Sequence, residues 1–131
     1  MRYLLDTNVV IGLLKDTNTI LAQRARRELP TDIAISSVVA HELYYGAFKS
    51  QRRTSNVAQL DALQFQIVEI DKEDAIAAAE LRATLAVAGT PIGPLDMFIA
   101  GQAIARNLIL VSHNTREFGR IPRLQLEDWE S

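Results

Sequence analysis

The sequence contains no cysteine. This absence excludes a disulfide scaffold, a thiolate nucleophile and any zinc or iron–sulfur site that needs cysteine ligands. The chemistry of the protein must therefore be carried by oxygen and nitrogen donors. A chain without cysteine also fits a reducing compartment, and we expect the protein to act in the cytoplasm.

Long apolar runs are missing as well. No stretch approaches the roughly 18 consecutive apolar residues of a membrane-spanning helix. The apolar run from Tyr3 to Leu14 contains Asp6, and no cleavage site of small residues follows it. We therefore expect neither a signal peptide nor an association with membranes.

The chain has no excess of positive charge, since its formal net charge is −2 at pH 7. A general nucleic-acid-binding protein is expected to be basic. Positive residues are nevertheless clustered, and such clusters either form solvated surfaces or contact phosphates. The three clusters are Arg24, Arg26 and Arg27; Lys49, Arg52 and Arg53; and Arg116, Arg120 and Arg123.

A length of 131 residues is typical of one domain, and no repeat or linker divides the chain, so we expect residues 1–131 to form a single domain. Short apolar segments alternate with helical patterns, which predicts an α/β fold with a small, mostly parallel sheet of four to five strands and helices on both faces. The predicted strands are 3–5, 33–35, 67–70, 108–111 and 124–126. The predicted helices are 7–14, 16–29, 37–50, 54–63, 72–87 and 94–106.

Three carboxylates stand nearly alone in apolar segments. Asp6 directly follows the first strand, Glu42 lies early in the helix after the second strand, and Asp96 lies in the first turn of an apolar helix. Sheets of this class bind ligands at the carboxyl ends of their strands, so the three acids are expected to meet there. Unpaired buried carboxylates are costly, and a divalent cation such as Mg²⁺ or Mn²⁺ is their natural partner.

Each acid also has a simpler explanation when it is considered alone. Asp6 could cap its helix, Glu42 could lie on the surface of an amphipathic helix, and Asp96 could complement a helix dipole. The shared pattern is more specific than its parts, because all three acids lie early in helices, near strand ends and in apolar surroundings.

Polar residues after the fourth strand extend the predicted site. Asn114 would place a fourth oxygen ligand at the same edge of the sheet, and Glu117 is a further candidate at the rim. We leave His113 out of the catalytic set, because a single histidine in a loop is more often a surface residue.

These segments resemble the motifs of PIN-domain proteins and, at the C-terminus, of VapC toxins. The resemblance covers nearly the whole chain in order, and the stretch Gly-Thr-Pro-Ile-Gly-Pro with the closing Glu-Asp-Trp is similar to the VapC group that cuts initiator tRNA in its anticodon loop. The segments that carry the resemblance are 4–8, 36–43 with Gly46, 89–96, 111–118, 120–122 and 126–129.

The resemblance implies a PIN domain with Mg²⁺- or Mn²⁺-dependent endoribonuclease activity, the toxin of a type II toxin–antitoxin system. The implied acidic site is Asp6, Glu42 and Asp96, with Asn114 where many PIN domains have aspartate. A VapB-type antitoxin would bind and silence the enzyme, and operator DNA would be contacted only through that antitoxin. VapC toxins usually form homodimers, so a homodimer is expected.

Two alternatives remain open at this point. One is an acid-cluster phosphatase or phosphotransfer domain, although dehalogenase-type phosphatases require a second aspartate two positions after the first, where this chain has Asn8. The other is a non-catalytic PIN-like binding module, which the amide of Asn114 favours. The presence of all three acids argues against such a module, because a docking protein has no need of them.

Overall fold

The computed structural model describes residues 1–130 and contains a sheet of five strands, all of them parallel. The spatial order is β3-β2-β1-β4-β5. This confirms the predicted fold class, and the sheet is parallel throughout rather than mostly so. The strands are β1 (Tyr3–Leu5), β2 (Ile33–Ser36), β3 (Gln66–Val68), β4 (Ile109–Val111) and β5 (Gln125–Glu127).

Seven α-helices connect and flank the strands within the described residues. Most predicted helices are confirmed to within one or two residues. Within residues 1–130 no helix combines the length and the apolar character needed to cross a bilayer. The helices are α1 (Thr7–Lys15), α2 (Ile20–Ala25), α3 (Ser37–Lys49), α4 (Arg53–Asp61), α5 (Lys72–Ala88), α6 (Pro94–Ala105) and α7 (Thr115–Phe118).

The predicted bounds of the second helix were wrong at both ends. The side chain of Asp16 accepts the N–H of Asn18 in a local turn, and the Thr19 hydroxyl caps α2 instead by accepting the N–H of Ala22 at 3.0 Å. The helix ends at Ala25, before the 3-10 turn Pro30–Asp32. Short polar side chains thus bound a helix of only six residues.

The predicted third strand, 67–70, was displaced and too long. β3 ends at Val68. The carbonyl of the next residue, Glu69, accepts hydrogen bonds from the side chains of Gln102 and Arg106. Side chains of α6 and the residue after it therefore take over the pairing that would have extended the strand.

Helix α6 is buried on most sides and lies directly against α5. A side chain at Gly101 would place its Cβ 2.6 Å from the backbone nitrogen of Ala78, so only glycine permits this approach. Pro94 begins the helix at a position where its missing N–H leaves no backbone acceptor without a donor. This packing holds the first turn of α6, which contains Asp96, at a fixed place relative to the sheet.

The carboxyl ends of the central strands form one continuous edge. The N–H of Asp6, just after β1, donates to the carbonyl of Val111 in β4 at 3.1 Å, and the N–H of Ser112 donates to Glu127 in β5 at 3.0 Å. Residues that follow β1, β4 and β5 are therefore neighbours in space although they are far apart in the sequence.

Candidate functional site

Asp6 is almost fully buried at this edge, with 7% of its surface exposed. Its Oδ1 accepts the N–H of Val9 at 2.9 Å, so it caps α1, and it also accepts a hydrogen bond from the Ser112 hydroxyl. Burial nevertheless raises the pKa of Asp6, and repulsion from Glu130 and Glu42 adds to that effect. The residue is a helix cap and also lies in a cluster of acids, so the two interpretations of the sequence are compatible.

Glu42 is half-buried and faces the start of α1 rather than open solvent. The Thr7 hydroxyl donates to Glu42 Oε1 at 2.7 Å. Because Thr7 directly follows Asp6, this bond holds α3 against the turn that presents the first acid. The Thr7 hydroxyl thus contacts the Glu42 carboxylate, in addition to any role that Thr7 has in the turn after Asp6.

Asp96 lies in the first turn of α6 and is also half-buried. Its pKa is raised to about 6, first by burial and then by repulsion from Glu117, Glu42 and Asp6. Repulsion from these acids means that they lie within reach of Asp96, since screening by solvent weakens the interaction of distant charges. Asp6, Glu42 and Asp96 therefore lie near one another at this edge of the sheet, and their role as a shared metal site stays a prediction.

Asn114 lies at the rim, exposed, and caps α7. Its Oδ1 accepts the N–H of Glu117 at 3.4 Å, and its Nδ2 donates to Glu117 Oε2 at 3.3 Å. The fourth carboxylate of the site comes from Glu117, whose charge is the strongest repulsive influence on Asp96. The amide is thus engaged in orienting an acid, and it adds no charge of its own.

Two residues at the site were not predicted from the sequence. Ser112 is fully buried, and its Oγ accepts the N–H of Asn114 at 2.9 Å while it also bonds to Asp6. A hydroxyl at the end of an apolar strand was the available signal. Glu130 lies close enough to Asp6 to repel it, and its position just beyond the last strand could have indicated this.

Within the described residues, no lysine or arginine forms an ion pair with any of the three acids. The ion pairs found within residues 1–130 all involve other carboxylates, and none includes Asp6, Glu42 or Asp96. Partly desolvated carboxylates that repel one another are the donor set that a hard divalent cation favours. The chemistry of these donors suits such an ion, and their oxygens would have to move closer to share one, since the ligand atoms that lie within 4.8 Å of one another in the described residues are those of His113, Asp128 and Glu130.

The predicted basic clusters differ in whether their side chains already form ion pairs within the protein. Arg24 pairs with Glu28 at 2.6 Å and lies 4.6 Å from the ring centroid of Trp129, so it supports the fold. Arg116 and Arg120 are exposed on or beside α7, and no ion pair within residues 1–130 involves them. Of the predicted cations, these two lie nearest in the sequence to Asn114 and Glu117 at the rim of the site.

Comparison with known proteins agrees with this geometry. The family model described as PIN domain matches residues 3–124. The tRNA(fMet)-specific endonuclease VapC of Salmonella typhimurium is 39% identical over 132 residues, and that of Shigella flexneri is 40% identical over 131 residues; each alignment covers 98% of both chains. A crystal structure of DNA-bound VapBC from Salmonella typhimurium superposes with a TM-score of 0.93 at 37% identity and 98% coverage of both chains.

The resemblance noted in the sequence is therefore confirmed along almost its whole length. Family match, identity and structural similarity agree, and the acids that define the site lie inside the matched residues. The chain belongs to the PIN-domain family and, within it, to the VapC proteins.

Proposed function

We propose that this protein is a divalent-metal-dependent endoribonuclease that cuts initiator tRNA in its anticodon loop. The observation that carries the proposal is the convergence of Asp6, Glu42 and Asp96 at one sheet edge without a compensating lysine or arginine. Two relatives at 39% and 40% identity that are named tRNA(fMet)-specific endonucleases support the substrate.

Asp6 and Asp96 would hold the ion, which we take to be Mg²⁺ or Mn²⁺, and Glu42 would complete the coordination directly or through water. When bound there, such an ion neutralises a phosphodiester and lowers the pKa of its bound water. Thr7 fixes the Glu42 carboxylate through its 2.7 Å hydrogen bond. Ser112 does the same for Asp6, so the ligands are oriented before an ion arrives.

Asn114 and Glu117 would act as one unit at the rim. We assign the amide the role of positioning residue, because its Nδ2 holds the Glu117 carboxylate beside Asp96. Glu117 then supplies the negative charge that many PIN domains obtain from an aspartate at the position of Asn114.

RNA binding would depend on the exposed cations beside α7. Arg116 and Arg120 lie on or just after α7, close in the sequence to Glu117, and would contact the RNA backbone near the cut phosphate. Affinity should then fall steeply with salt, since phosphate contacts release counterions. Selection of one tRNA would come from loop shape and unstacked bases rather than from a duplex groove.

A VapB-type antitoxin is the proposed partner, with operator DNA contacted only through it. The DNA-bound VapBC complex of Salmonella typhimurium, whose toxin fold matches this one, supports this assembly. We also propose a homodimer, one PIN domain over residues 1–131, and a cytoplasmic location. Light scattering during size-exclusion chromatography tests the dimer, because a mass near 14.6 kDa would contradict it.

The substrate is tested by incubating the purified protein with initiator tRNA and, as matched control, with elongator methionine tRNA. We expect Mg²⁺- or Mn²⁺-dependent cleavage of the initiator alone, with fragment ends mapping to the anticodon loop. EDTA should stop the reaction and added metal should restore it. Equal cleavage of both tRNAs would contradict the substrate, and cleavage that persists in EDTA would contradict the metal.

The two alternatives are separated by independent experiments. A non-catalytic module should not arrest growth when it is expressed without antitoxin, whereas we expect arrest by the wild type and none by Asp96→Asn. A phosphotransfer domain should become labelled by acetyl phosphate. We expect no phosphorylated adduct by mass spectrometry.

A further inference from the structure

A second group of metal-binding side chains lies at the rim, outside the three acids described above. Potential ligand atoms of His113, Asp128 and Glu130 all lie within 4.8 Å of one another. Ligands of a single ion lie within about 4.5 Å of each other, because each bond is about 2.0–2.2 Å long. Small side-chain rotations would therefore bring all three onto one ion.

The backbone that carries these side chains is well anchored. His113 follows β4, and Asp128 and Glu130 follow the neighbouring strand β5. Between the two acids, Trp129 is buried and packs edge-on against Tyr3, with ring centroids 5.0 Å apart. The buried indole therefore fixes the segment from which both carboxylates project.

The exposure of the three side chains suits an ion that also binds water. The side chain of His113 is 64% exposed and that of Asp128 is 17% exposed, so the group is open on one side. His113 Nδ1 already lies 3.0 Å from Asp128 Oδ2, which brings a nitrogen and an oxygen donor together before any ion binds. No lysine or arginine within residues 1–130 forms an ion pair with Glu130.

We propose that His113, Asp128 and Glu130 form a second divalent-metal site, distinct from that of Asp6, Glu42 and Asp96. The imidazole sets its preference, because nitrogen ligands suit Zn²⁺ and similar transition ions, whereas Mg²⁺ prefers oxygen alone. An ion held here adds positive charge near Asp6, because Glu130 already lies close enough to repel that carboxylate. The binding itself does not depend on the proposed function.

Histidine offers a direct readout, because the chain has only two, His41 and His113. We would titrate the protein with Zn²⁺ at pH 7.5 and follow the ring nitrogens of both in long-range ¹H–¹⁵N spectra. We expect the His113 signals to shift and saturate near one equivalent, while those of His41 stay in place. An unresponsive His113, or equal responses of both rings, would overturn the proposal.

A variant of the exposed acid tests the ligand set. Glu130→Gln should weaken the Zn²⁺ affinity reported by His113 at least tenfold, whereas the matched control Glu73→Gln, an exposed acid at the start of α5, should leave it unchanged. Unchanged affinity in Glu130→Gln would show that Glu130 is not a ligand and would overturn the proposed three-residue site.

The same titration in Asp6→Asn/Asp96→Asn separates the two sites. The His113 response should persist there, because the rim ligands remain intact. Loss of the response in this variant would overturn a distinct site. The readout involves no RNA cleavage, so failure of the rim site leaves the proposed nuclease untouched, and failure of the nuclease leaves the rim site untouched.

Discussion

Two carboxylates near opposite ends of α6, the fully buried Asp74 and the half-buried Asp96, have opposite surroundings. Asp74, at the start of α5, lies 3.1 Å from Arg106 and 3.0 Å from the amide of Gln102. Burial is the largest single influence and opposes its ionisation. Hydrogen bonds from Arg106, from the Asp71 backbone and from Gln102 together still hold the pKa of Asp74 below its ordinary value.

Asp96, at the other end, has no such cation. Burial and then the charges of Glu117, Glu42 and Asp6 raise its pKa to about 6. Arginine pairs with the buried acid that links α5 to the end of α6, whereas the charges that act on Asp96 near the sheet edge come from other acids. A buried acid surrounded by acids is stabilised only by a proton or a cation from outside, which is why we assign function to that end.

The largest expected effect is on activity. Asp6→Asn and Asp96→Asn each remove a proposed metal ligand, so single-turnover cleavage of initiator tRNA should fall by about a thousandfold or more, corresponding to several kcal/mol of lost metal assistance. Circular dichroism should show that both variants remain folded. A folded Asp96→Asn variant that cleaves at the wild-type rate would remove the distinction between the two ends of α6.

The next effect is on stability at the opposite end. Arg106→Met leaves Asp74 buried without its cation, which should lower the free energy of unfolding in urea by about 3 kcal/mol. The matched control is Arg123→Met, whose partner Glu80 is largely exposed, and its change should stay below about 0.5 kcal/mol. Equal losses in the two variants would mean that Asp74 does not need its partner.

A smaller effect concerns pH and metal. Because the pKa of Asp96 is raised to about 6, protons should compete with Mg²⁺ as the pH falls through that value. The Mg²⁺ affinity of the wild type should drop roughly tenfold between pH 8 and pH 5 from this group alone. Calorimetric titrations at both pH values check this, and an affinity independent of pH would contradict a protonated Asp96.

The smallest effect is a gain in stability. A carboxyl group whose pKa is raised by folding stabilises the folded state below its unfolded pKa, and that contribution is lost as the pH rises through about 6. Without metal at pH 8, the free energy of unfolding of Asp96→Asn should therefore be about 1 kcal/mol higher than that of the wild type. This figure allows for the partial exposure of the side chain. The advantage should shrink at pH 4, and a variant that is less stable at pH 8 would contradict the repulsion.

The sequence drew attention to the acids near one end of α6 and missed the ion pair at the other end. Asp96 and Asp6 stand alone in apolar segments, and the rule that parallel strands end at one edge was enough to bring them together. Asp74 and Arg106 are 32 positions apart and look like ordinary charges at helix ends. Their pairing depends on the close approach of α5 and α6 at Gly101, which no local pattern indicates.

Other differences have similar causes. Asn114, the predicted fourth ligand, caps α7 and donates to the Glu117 carboxylate, which the local sequence did not indicate; its role as a ligand stays a prediction. Ser112 was overlooked, since its bond to Asp6 joins residues more than a hundred positions apart. Local patterns thus indicated candidate acids, and the polar groups that hydrogen-bond to them became visible only in the three-dimensional packing.

The central claim is that Asp6, Glu42 and Asp96 together hold a divalent ion. The most direct test is calorimetric titration of Mg²⁺ into the RNA-free protein at pH 7.5, comparing the wild type with folded Asp96→Asn. Mg²⁺ is the ion of choice because it prefers oxygen ligands and should not bind at the rim site, which includes an imidazole. We predict one saturable binding event in the wild type and its loss in the variant. Identical binding curves for the two proteins would contradict the claim.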